Sequence, residues 1–577
     1  MYKAMCRPIF LGNSLQLRCH FGIMESELNR SISENMTKRA EIRIMKSSGK
    51  SRLYLILPIL SLMWLSADMQ ADAIDWTTEV DRLFRQWDHS DTPGLMLAVV
   101  KDGEIVYERG YGIANLRYGV PITSSTVFRL GSFVKQITAF SIMLLEEEGA
   151  LSLEDDIRIY LPNTPNFGET ITIRHMLYHT SGLRDHISLM RIAGWNLFDD
   201  IVNKDQTFNI INRQRKLNHS PGNQFIYSNA NYLLLAEIVT KVSDMTFPEF
   251  VRQRIFDPLE MINSGFIDNN RIIVENLADA YMPLYDGGYE YTPINYASVG
   301  EGGMYSTVVD LAKWDRNFYV PVVGSRSIFT RMQQKYRLND GAFTPYSMGM
   351  IIDYYNNQRL IFWGGALPGF VSSVVRFPQQ QISVIALSNM FDMIEVELAT
   401  KSIQIVDIFN QRPNTSIRNS FIHEFSQKER WMGEGELFTS DSELFPFSKD
   451  SKMSFQKKRT DTTIRLGLSQ FTPESVAEYL GQYYSEELDI FYTLSLNDEG
   501  YLIFQPPRMH PYLFRISEVR NDQTFQDYDL TPWNNQPLYT GRFLRNAKNQ
   551  VVGFLLSTSS SRVVDLEFRK GDVVTLN

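Results

Sequence analysis

Residues 132–148 set the strongest limit on what this chain can fold into. Read as a helix, Val134, Ile137, Ala139, Phe140, Ile142, Met143, Leu144 and Leu145 leave almost no polar face. A helix apolar on most sides has to be enclosed by other structure. Gly149 is placed to end it, because glycine takes a left-handed terminal position without strain. Strand-like runs flank this segment. Residues 95–100 and 104–109 surround Asp102-Gly103, a hairpin signal. Runs at 348–354, 359–363, 371–377 and 382–388 follow a stretch of loops and helices, with helices expected at 232–242 and 308–318. Strands from both ends with helices between them predict one α+β domain, its antiparallel sheet built from the termini and flanked by helices.

At 577 residues the chain is too long for one compact domain. Residues 411–470 are polar, with few periodic apolar positions, and read as a linker or irregular connection. From 471 onward short strand signals recur at 491–496, 501–505, 513–519, 539–544, 551–557 and 563–568, separated by turn signals such as Asn497-Asp498-Glu499-Gly500. That pattern predicts a small antiparallel barrel or sandwich. The expected organisation is an N-terminal extension with a signal peptide at 1–73, the α+β domain at 74–410, the linker at 411–470 and a β domain at 471–577.

Lys46, Lys50 and Arg52 precede an apolar run at 53–65, which leads to Ala71-Asp72-Ala73. This is the order of a bacterial-type signal peptide near 45–73, with Met45 as a natural start. The run is shorter than the roughly 20 residues of a membrane-spanning helix. We therefore expect export to the periplasm or beyond, with no stable membrane insertion after cleavage. The only two cysteines, Cys6 and Cys19, precede the run. The remainder holds no disulfide and no Cys-ligated zinc, which suits an oxidising compartment. The net charge is −9, and residues 1–73 carry ten basic against six acidic side chains, so the rest carries −13. An acidic body argues against a nucleic-acid partner.

Several catalytic motifs are absent. There is no GxSxG and no HExxH, and Gly49-Lys50-Ser51 imitates a phosphate loop whose first glycine is replaced by Ile44. Gly110-Tyr111-Gly112 opens like a dinucleotide loop, but Asn115 stands at its last glycine. Neither a metal nor an organic cofactor is expected. Ser-x-x-Lys occurs at Ser47/Lys50, Ser132/Lys135 and Ser454/Lys457, about as often as chance allows in a chain of this length. Only Ser132 opens a long buried helix. There the spacing places Lys135 one turn on and on the same face, and the helix N-terminus favours negative charge at Oγ. A desolvated lysine can act as base for a serine hydroxyl. On this motif alone, an N-capping serine beside a snorkelling lysine explains the pattern equally well.

Further segments make the reading more specific. Gly131-Ser132-Phe133-Val134-Lys135 resembles the first motif of class C β-lactamases and their penicillin-binding, esterase and peptidase relatives. Phe225-Ile226-Tyr227-Ser228-Asn229 is similar to their Tyr-x-Asn motif. Tyr178-His179-Thr180-Ser181-Gly182-Leu183, Gly302-Gly303-Met304-Tyr305-Ser306-Thr307 and Leu367-Pro368-Gly369-Phe370 match other landmarks of that family. The resemblance covers residues from about 74 to 405 and implies a β-lactamase/transpeptidase-like fold for that part. The C-terminal strands, with Tyr479-Leu480-Gly481-Gln482-Tyr483 and Val551-Val552-Gly553-Phe554, look like the lipocalin-like barrel appended to some of these hydrolases.

By that resemblance Ser132 is the nucleophile, Lys135 and Tyr227 are its proton-transfer partners, and Asn229 binds the lysine or the substrate. An unperturbed tyrosine, with a pKa near 10, is a poor base at neutral pH, so a neighbouring cation matters. The third motif departs from the family, which has Lys-Thr-Gly or His-x-Gly where this chain has Trp363-Gly364-Gly365-Ala366. Gly365 keeps the backbone open to substrate, and the Ala366 N–H becomes the second oxyanion donor beside that of Ser132. Trp363 supplies no cation for a substrate carboxylate, which favours a neutral acyl ester and demotes β-lactams. Alternatively, Trp363 only packs and the site is impaired. His179, in its tight turn, is expected to be a structural hydrogen-bonding residue, and Glu146-Glu147-Glu148 a solvated helix tip. The expected function is a serine hydrolase acting on a small-molecule acyl ester through an acyl-enzyme. Its rivals are a D-amino-acid peptidase or DD-carboxypeptidase of the same fold, and a non-catalytic penicillin-binding-protein-like binding protein.

Overall fold

The computed structural model describes residues 4–11, 14–21, 76–195, 200–284, 287–391, 395–411, 474, 477–496, 537–558 and 562–571, together with the strands at 502–505, 512–516 and 524–528. It divides into two compact units, Met1–Asp75 and Trp76–Asn577. In the first, Ala4–Leu11 pairs antiparallel with Ser14–Phe21. The segment read as a signal peptide, and the linker from residue 412 onward, lie outside the described residues.

The second unit opens with helix α1 (Trp76–Phe84) and the hairpin β1 (Leu95–Lys101) and β2 (Glu104–Tyr111). Its main helices are α2 (Lys135–Glu147), α3 (Asn229–Ser243), α4 (Val308–Asn317) and α5 (Glu395–Phe409). Between α4 and α5 run β3 (Ile351–Tyr355), β4 (Gln358–Leu367), β5 (Phe370–Phe377) and β6 (Ile382–Ser388). These join the N-terminal hairpin in one six-stranded sheet of order β3-β4-β5-β6-β1-β2, antiparallel throughout. Strands from both ends of the segment therefore meet, as the sequence pattern requires.

Burial follows position in the sheet. Every residue of β5 and β6 is buried, as expected of central strands covered on both faces, whereas edge strand β2 alternates exposed and half-buried positions. The two covers can be told apart at adjacent residues, because neighbouring side chains on a strand point to opposite faces. Arg376 pairs with Asp315 of α4 at 2.6 Å, while Phe377 packs on Tyr355, whose hydroxyl donates to Asp407 of α5 at 2.7 Å.

Helix α2 is buried from Lys135 through Leu145. It ends as its glycine predicts: Gly149 has φ +72°, its N–H donates to the Glu146 carbonyl, and Ala150 N–H donates to that of Leu145. Its start differs from the sequence expectation. Residues Gly131–Val134 form a 3₁₀ turn, and α-helix begins only at Lys135. The tighter turn is a common way for a helix to begin. Glu147 and Glu148 are exposed, as expected of a solvated tip, and accept from Ser325 and Arg254, while half-buried Glu146 accepts from Arg331.

The C-terminal part is an eight-stranded antiparallel sheet. Its strands are β7 (Gly481–Ser485), β8 (Ile490–Leu496), β9 (Leu502–Gln505), β10 (Tyr512–Ile516), β11 (Thr524–Tyr528), β12 (Pro537–Arg545), β13 (Val551–Thr558) and β14 (Leu566–Lys570). They pair in chain order, and β7 also pairs with β14. Periodicity alone missed β7 and β11. Tyr483, Phe554, Leu566 and Phe568 fill the interior of this part.

Candidate active site

The 3₁₀ turn places Ser132 at the head of α2, with only 8% of its surface exposed. The Lys135 ammonium, itself 0% exposed, lies 2.9 Å from each of three acceptors: Ser132 Oγ, Asn229 Oδ1 and the Glu301 carbonyl. An ammonium carries three donors and no acceptor, so these three bonds use its full capacity. The Tyr227 phenol donates to the same Ser132 Oγ at 3.1 Å. Ser132, Lys135, Tyr227 and Asn229 are thus one hydrogen-bonded cluster, assembled from the start of α2 and the start of α3.

Asn229 has two ends with different tasks. Its Oδ1 accepts from Lys135, while its Nδ2 is buried without a hydrogen-bond partner among the described residues. A buried amide donor left unpaired is costly, and a substrate carbonyl would complete it.

Strand β4, unpaired on its β3 side beyond Phe362, closes the other side. A Cβ on Gly365 would stand 2.2 Å from Ser132 N, so only glycine lets the strand approach this closely. Leu367 opposes Phe370 across the turn that joins β4 to β5, and Ala366 opposes Val371. In an antiparallel ladder, hydrogen-bonded and non-hydrogen-bonded pairs alternate. Leu367 and Phe370 close the two-residue turn as a bonded pair, so the Ala366 N–H points away from β5. On that side the pairing with β3 ends at Phe362. The Ala366 and Ser132 N–H groups therefore border the same space beside Oγ. Trp363 is 2% exposed, and its indole N–H donates to the Ser132 carbonyl at 2.7 Å. It grips the turn that carries the serine.

His179 has the structural place expected of it. Its ring packs against Tyr227, Tyr232 and Tyr346 at centroid distances of 4.3, 5.0 and 4.7 Å. Nδ1 faces the Ser228 N–H at 3.2 Å and the Asn231 amide at 3.1 Å. Full burial, with the charges of Lys135 and Arg562 adding to it, pushes its pKa well below the ordinary histidine value. The imidazole is neutral and has no bond to the serine.

The cluster includes three residues that sequence reasoning missed. The Glu301 carbonyl is the third acceptor for Lys135, and its side chain accepts from Tyr296 at 2.6 Å. Asp185 accepts from the Asn229 N–H at 2.7 Å and from the Ser188 N–H and hydroxyl at 2.9 Å. Burial opposes its charge, but the nearby Arg562 and these hydrogen bonds outweigh that effect and hold its pKa below the usual carboxylate value. A carboxylate at the start of α3 also complements the helix dipole. The third residue is Arg562, from the loop between β13 and β14, whose guanidinium carbon lies 4.9 Å from the centre of the Tyr227 ring. No local signal marks it, because only the fold brings it here. Trp363 brings no cation to its point of β4, but Arg562 brings one to the Tyr227 ring.

The C-terminal sheet is fixed against this site by further bonds. Glu487 forms a buried ion pair with Arg184, and Tyr492 donates to the Ile192 carbonyl at 2.6 Å. Asn218 bonds the backbone on either side of Val563, donating to the Arg562 carbonyl and accepting from the Val564 N–H, both at 2.9 Å.

Comparison with known proteins gives a consistent picture. The Beta-lactamase family profile matches residues 80–404. Penicillin-binding protein 4* of Bacillus subtilis (strain 168) is 31% identical over 320 residues, covering 53% of this chain and 70% of that protein. D-aminopeptidase of Gluconobacter oxydans (strain 621H) is 25% identical over 308 residues, covering 53% of this chain and 58% of its own length. Among solved structures, the octameric penicillin-binding protein homologue from Pyrococcus abyssi superposes with a TM-score of 0.53 at 20% identity. It covers 86% of this chain and 99% of its own, so the likeness in fold runs past residue 404. D-amino acid amidase from Ochrobactrum anthropi gives a TM-score of 0.50 at 21% identity over 58% of this chain and 99% of its own.

Proposed function

Because this chain belongs to the β-lactamase family and is a serine hydrolase of that family, we propose that Ser132 is its nucleophile and that it cleaves acyl esters through an acyl-enzyme. One observation carries the assignment: Ser132 Oγ holds both Lys135 Nζ at 2.9 Å and the Tyr227 phenol at 3.1 Å inside a buried cluster. In this reading Tyr227, as phenolate, takes the hydroxyl proton while Oγ attacks the acyl carbonyl. Lys135, whose ammonium lies 5.0 Å from the centre of the Tyr227 ring, stabilises negative charge on the phenol oxygen. The Ser132 and Ala366 N–H groups receive the oxyanion. Tyr227 then returns the proton to the leaving oxygen, and water releases the acyl group by the same path in reverse. Asn229 Nδ2 steadies the substrate, and Trp363 and Gly365 hold the turn and the strand at their close approach.

An amide reading rests on the relatives. D-aminopeptidase is among them, and the reaction differs only in its leaving atom. Comparing turnover of a short acyl ester with that of D-alanyl peptides separates the two. Exported location is part of the same proposal, resting on the signal-like segment near 45–73. The pairing of β7 with β14 supports reading the C-terminal sheet as a small lipocalin-like barrel.

Intact-protein mass spectrometry after treatment with a fluorophosphonate tests the nucleophile. A single adduct on the wild type, absent from Ser132→Ala, is the expected result. An adduct that survives in Ser132→Ala overturns the assignment in favour of another nucleophile, and none on a folded wild-type chain overturns it in favour of a binding protein without catalysis.

A further inference from the structure

The reaction as derived needs no cation other than Lys135 in contact with the serine, yet a second one is buried nearby. Arg562 is 3% exposed, and its carbonyl accepts from the Asp185 N–H at 3.1 Å and from Asn218 Nδ2 at 2.9 Å. Its backbone is thus bonded to the catalytic body, although the residue belongs to the C-terminal sheet. The nearest carboxylate does not use the guanidinium fully. Nη1 stands 3.8 Å from Asp185 Oδ2, beyond hydrogen-bond reach, and Asp185 already accepts from Asn229 and Ser188. Nε and Nη2 are buried and have no hydrogen-bond partner among the described residues. In a planar guanidinium these two nitrogens share one edge, with N–H bonds that point the same way. That edge is the fork which takes a carboxylate through two parallel bonds. Leaving it dry and unpaired is costly unless a ligand completes it.

We infer that Arg562 is the anion-recognition residue of the cleft, and that the substrate carries a carboxylate on the leaving-group side of the scissile bond. This rests on the reaction proposed above. Tyr227 is the group that protonates the leaving atom, so the leaving group lies against Tyr227, and the guanidinium lies over that ring. The sequence pointed to a neutral ester because Trp363 brings no charge to its point of β4. The structure supplies the charge at the Tyr227 ring, from a different part of the chain.

The test compares two esters that release a readable phenol, 3-acetoxybenzoate and its methyl ester, on the full chain and on Arg562→Gln and Arg562→Lys. For Arg562→Gln, kcat/KM should fall about 50-fold on the carboxylate ester, mainly through KM, and less than about 3-fold on the methyl ester. Arg562→Lys should fall between, because it keeps the charge and loses the fork. Equal losses on both esters, or none on either, overturn the proposal. A readout without turnover covers the case of a poor substrate. 3-Hydroxybenzoate should slow fluorophosphonate labelling of the wild type, its methyl ester should not, and the protection should vanish in Arg562→Gln. Wild-type labelling that 3-hydroxybenzoate leaves unchanged also overturns the anion site, while the adduct on Ser132 keeps the nucleophile in place. If Ser132 takes no adduct, the reaction itself is wrong. Calorimetric titration with 3-hydroxybenzoate then decides the anion site alone, with binding by the wild type and not by Arg562→Gln as the supporting result.

Discussion

Lys135 and Arg562 lie almost equally far from the Tyr227 ring, at 5.0 and 4.9 Å, and both are buried, yet they are held in opposite ways. The lysine has all three donors matched by acceptors from its own body. The arginine comes from the C-terminal sheet and keeps one edge of its guanidinium unpaired. A saturated cation is fixed before substrate arrives, as proton transfer and charge stabilisation require. An unsaturated one is completed by what binds. The contrast assigns the chemistry to the catalytic body and the choice of substrate to the sheet joined to it.

The sharpest way to break that contrast is to remove the saturated cation. Lys135→Met should lower kcat roughly 10⁴-fold on charged and neutral esters alike and abolish the Ser132 adduct, as expected when one member of a catalytic unit is lost. Arg562→Gln should leave that adduct intact. Steady-state kinetics and labelling on the two variants decide whether the cations differ as described.

Glu487→Gln acts on the boundary instead, weakening the ion pair to Arg184, which is 1% exposed. Breaking a buried pair from one side should cost about 3 kcal/mol, measured by urea unfolding. Neutral-ester turnover should remain within a few-fold of wild type while the carboxylate ester suffers more. Equal loss on both would mean that the sheet supports the body and does not select.

Acid should act mainly on the catalytic body. Burial lowers the pKa values of His175, His179, His186 and His219, and all four lie in that body. A histidine held neutral by folding is protonated first in the unfolded chain. Its contribution is therefore complete above about pH 6.5 and is lost progressively as pH falls below that value. The expected slope is at most about 1.4 kcal/mol per pH unit for each proton taken up on unfolding. Urea titrations between pH 5 and 8 read it directly, and a flat profile would contradict neutral buried imidazoles.

The smallest effect is expected at Trp363. Trp363→Phe removes one hydrogen bond to the Ser132 carbonyl and should slow kcat about fivefold, equally on both esters, since one such bond is worth roughly 1 kcal/mol. Unequal slowing would place Trp363 in substrate recognition. An unchanged rate would reduce it to packing.

Much of this was legible in the chain. The sheet built from both termini followed from strand runs on either side of a helix-rich stretch, and α2 was marked by its lack of a polar face. The Ser132–Lys135 pair was readable because one helical turn brings the two together, and Tyr227 and Asn229 followed from a motif at a matching distance. The 3₁₀ start of α2 was not readable, since a 3₁₀ turn and a first α turn have the same local composition. Strand β11 was missed because Thr524–Tyr528 has little apolar alternation and depends on its neighbours for pairing.

The sequence by itself determined what lies within a helical turn, a hairpin or a strand: the pairing of Ser132 with Lys135, the close glycine strand, the class of fold. Only the tertiary structure decided how those groups are completed. Asp185 steadies the start of α3, the Glu301 carbonyl accepts the third hydrogen bond of Lys135, the Trp363 indole grips the serine turn, and Arg562 comes from the far end of the chain. Short-range geometry is fixed by spacing and periodicity, which a sequence displays. Satisfying a buried donor or charge depends on which distant groups the folded chain brings within about 3 Å, and no local pattern encodes that.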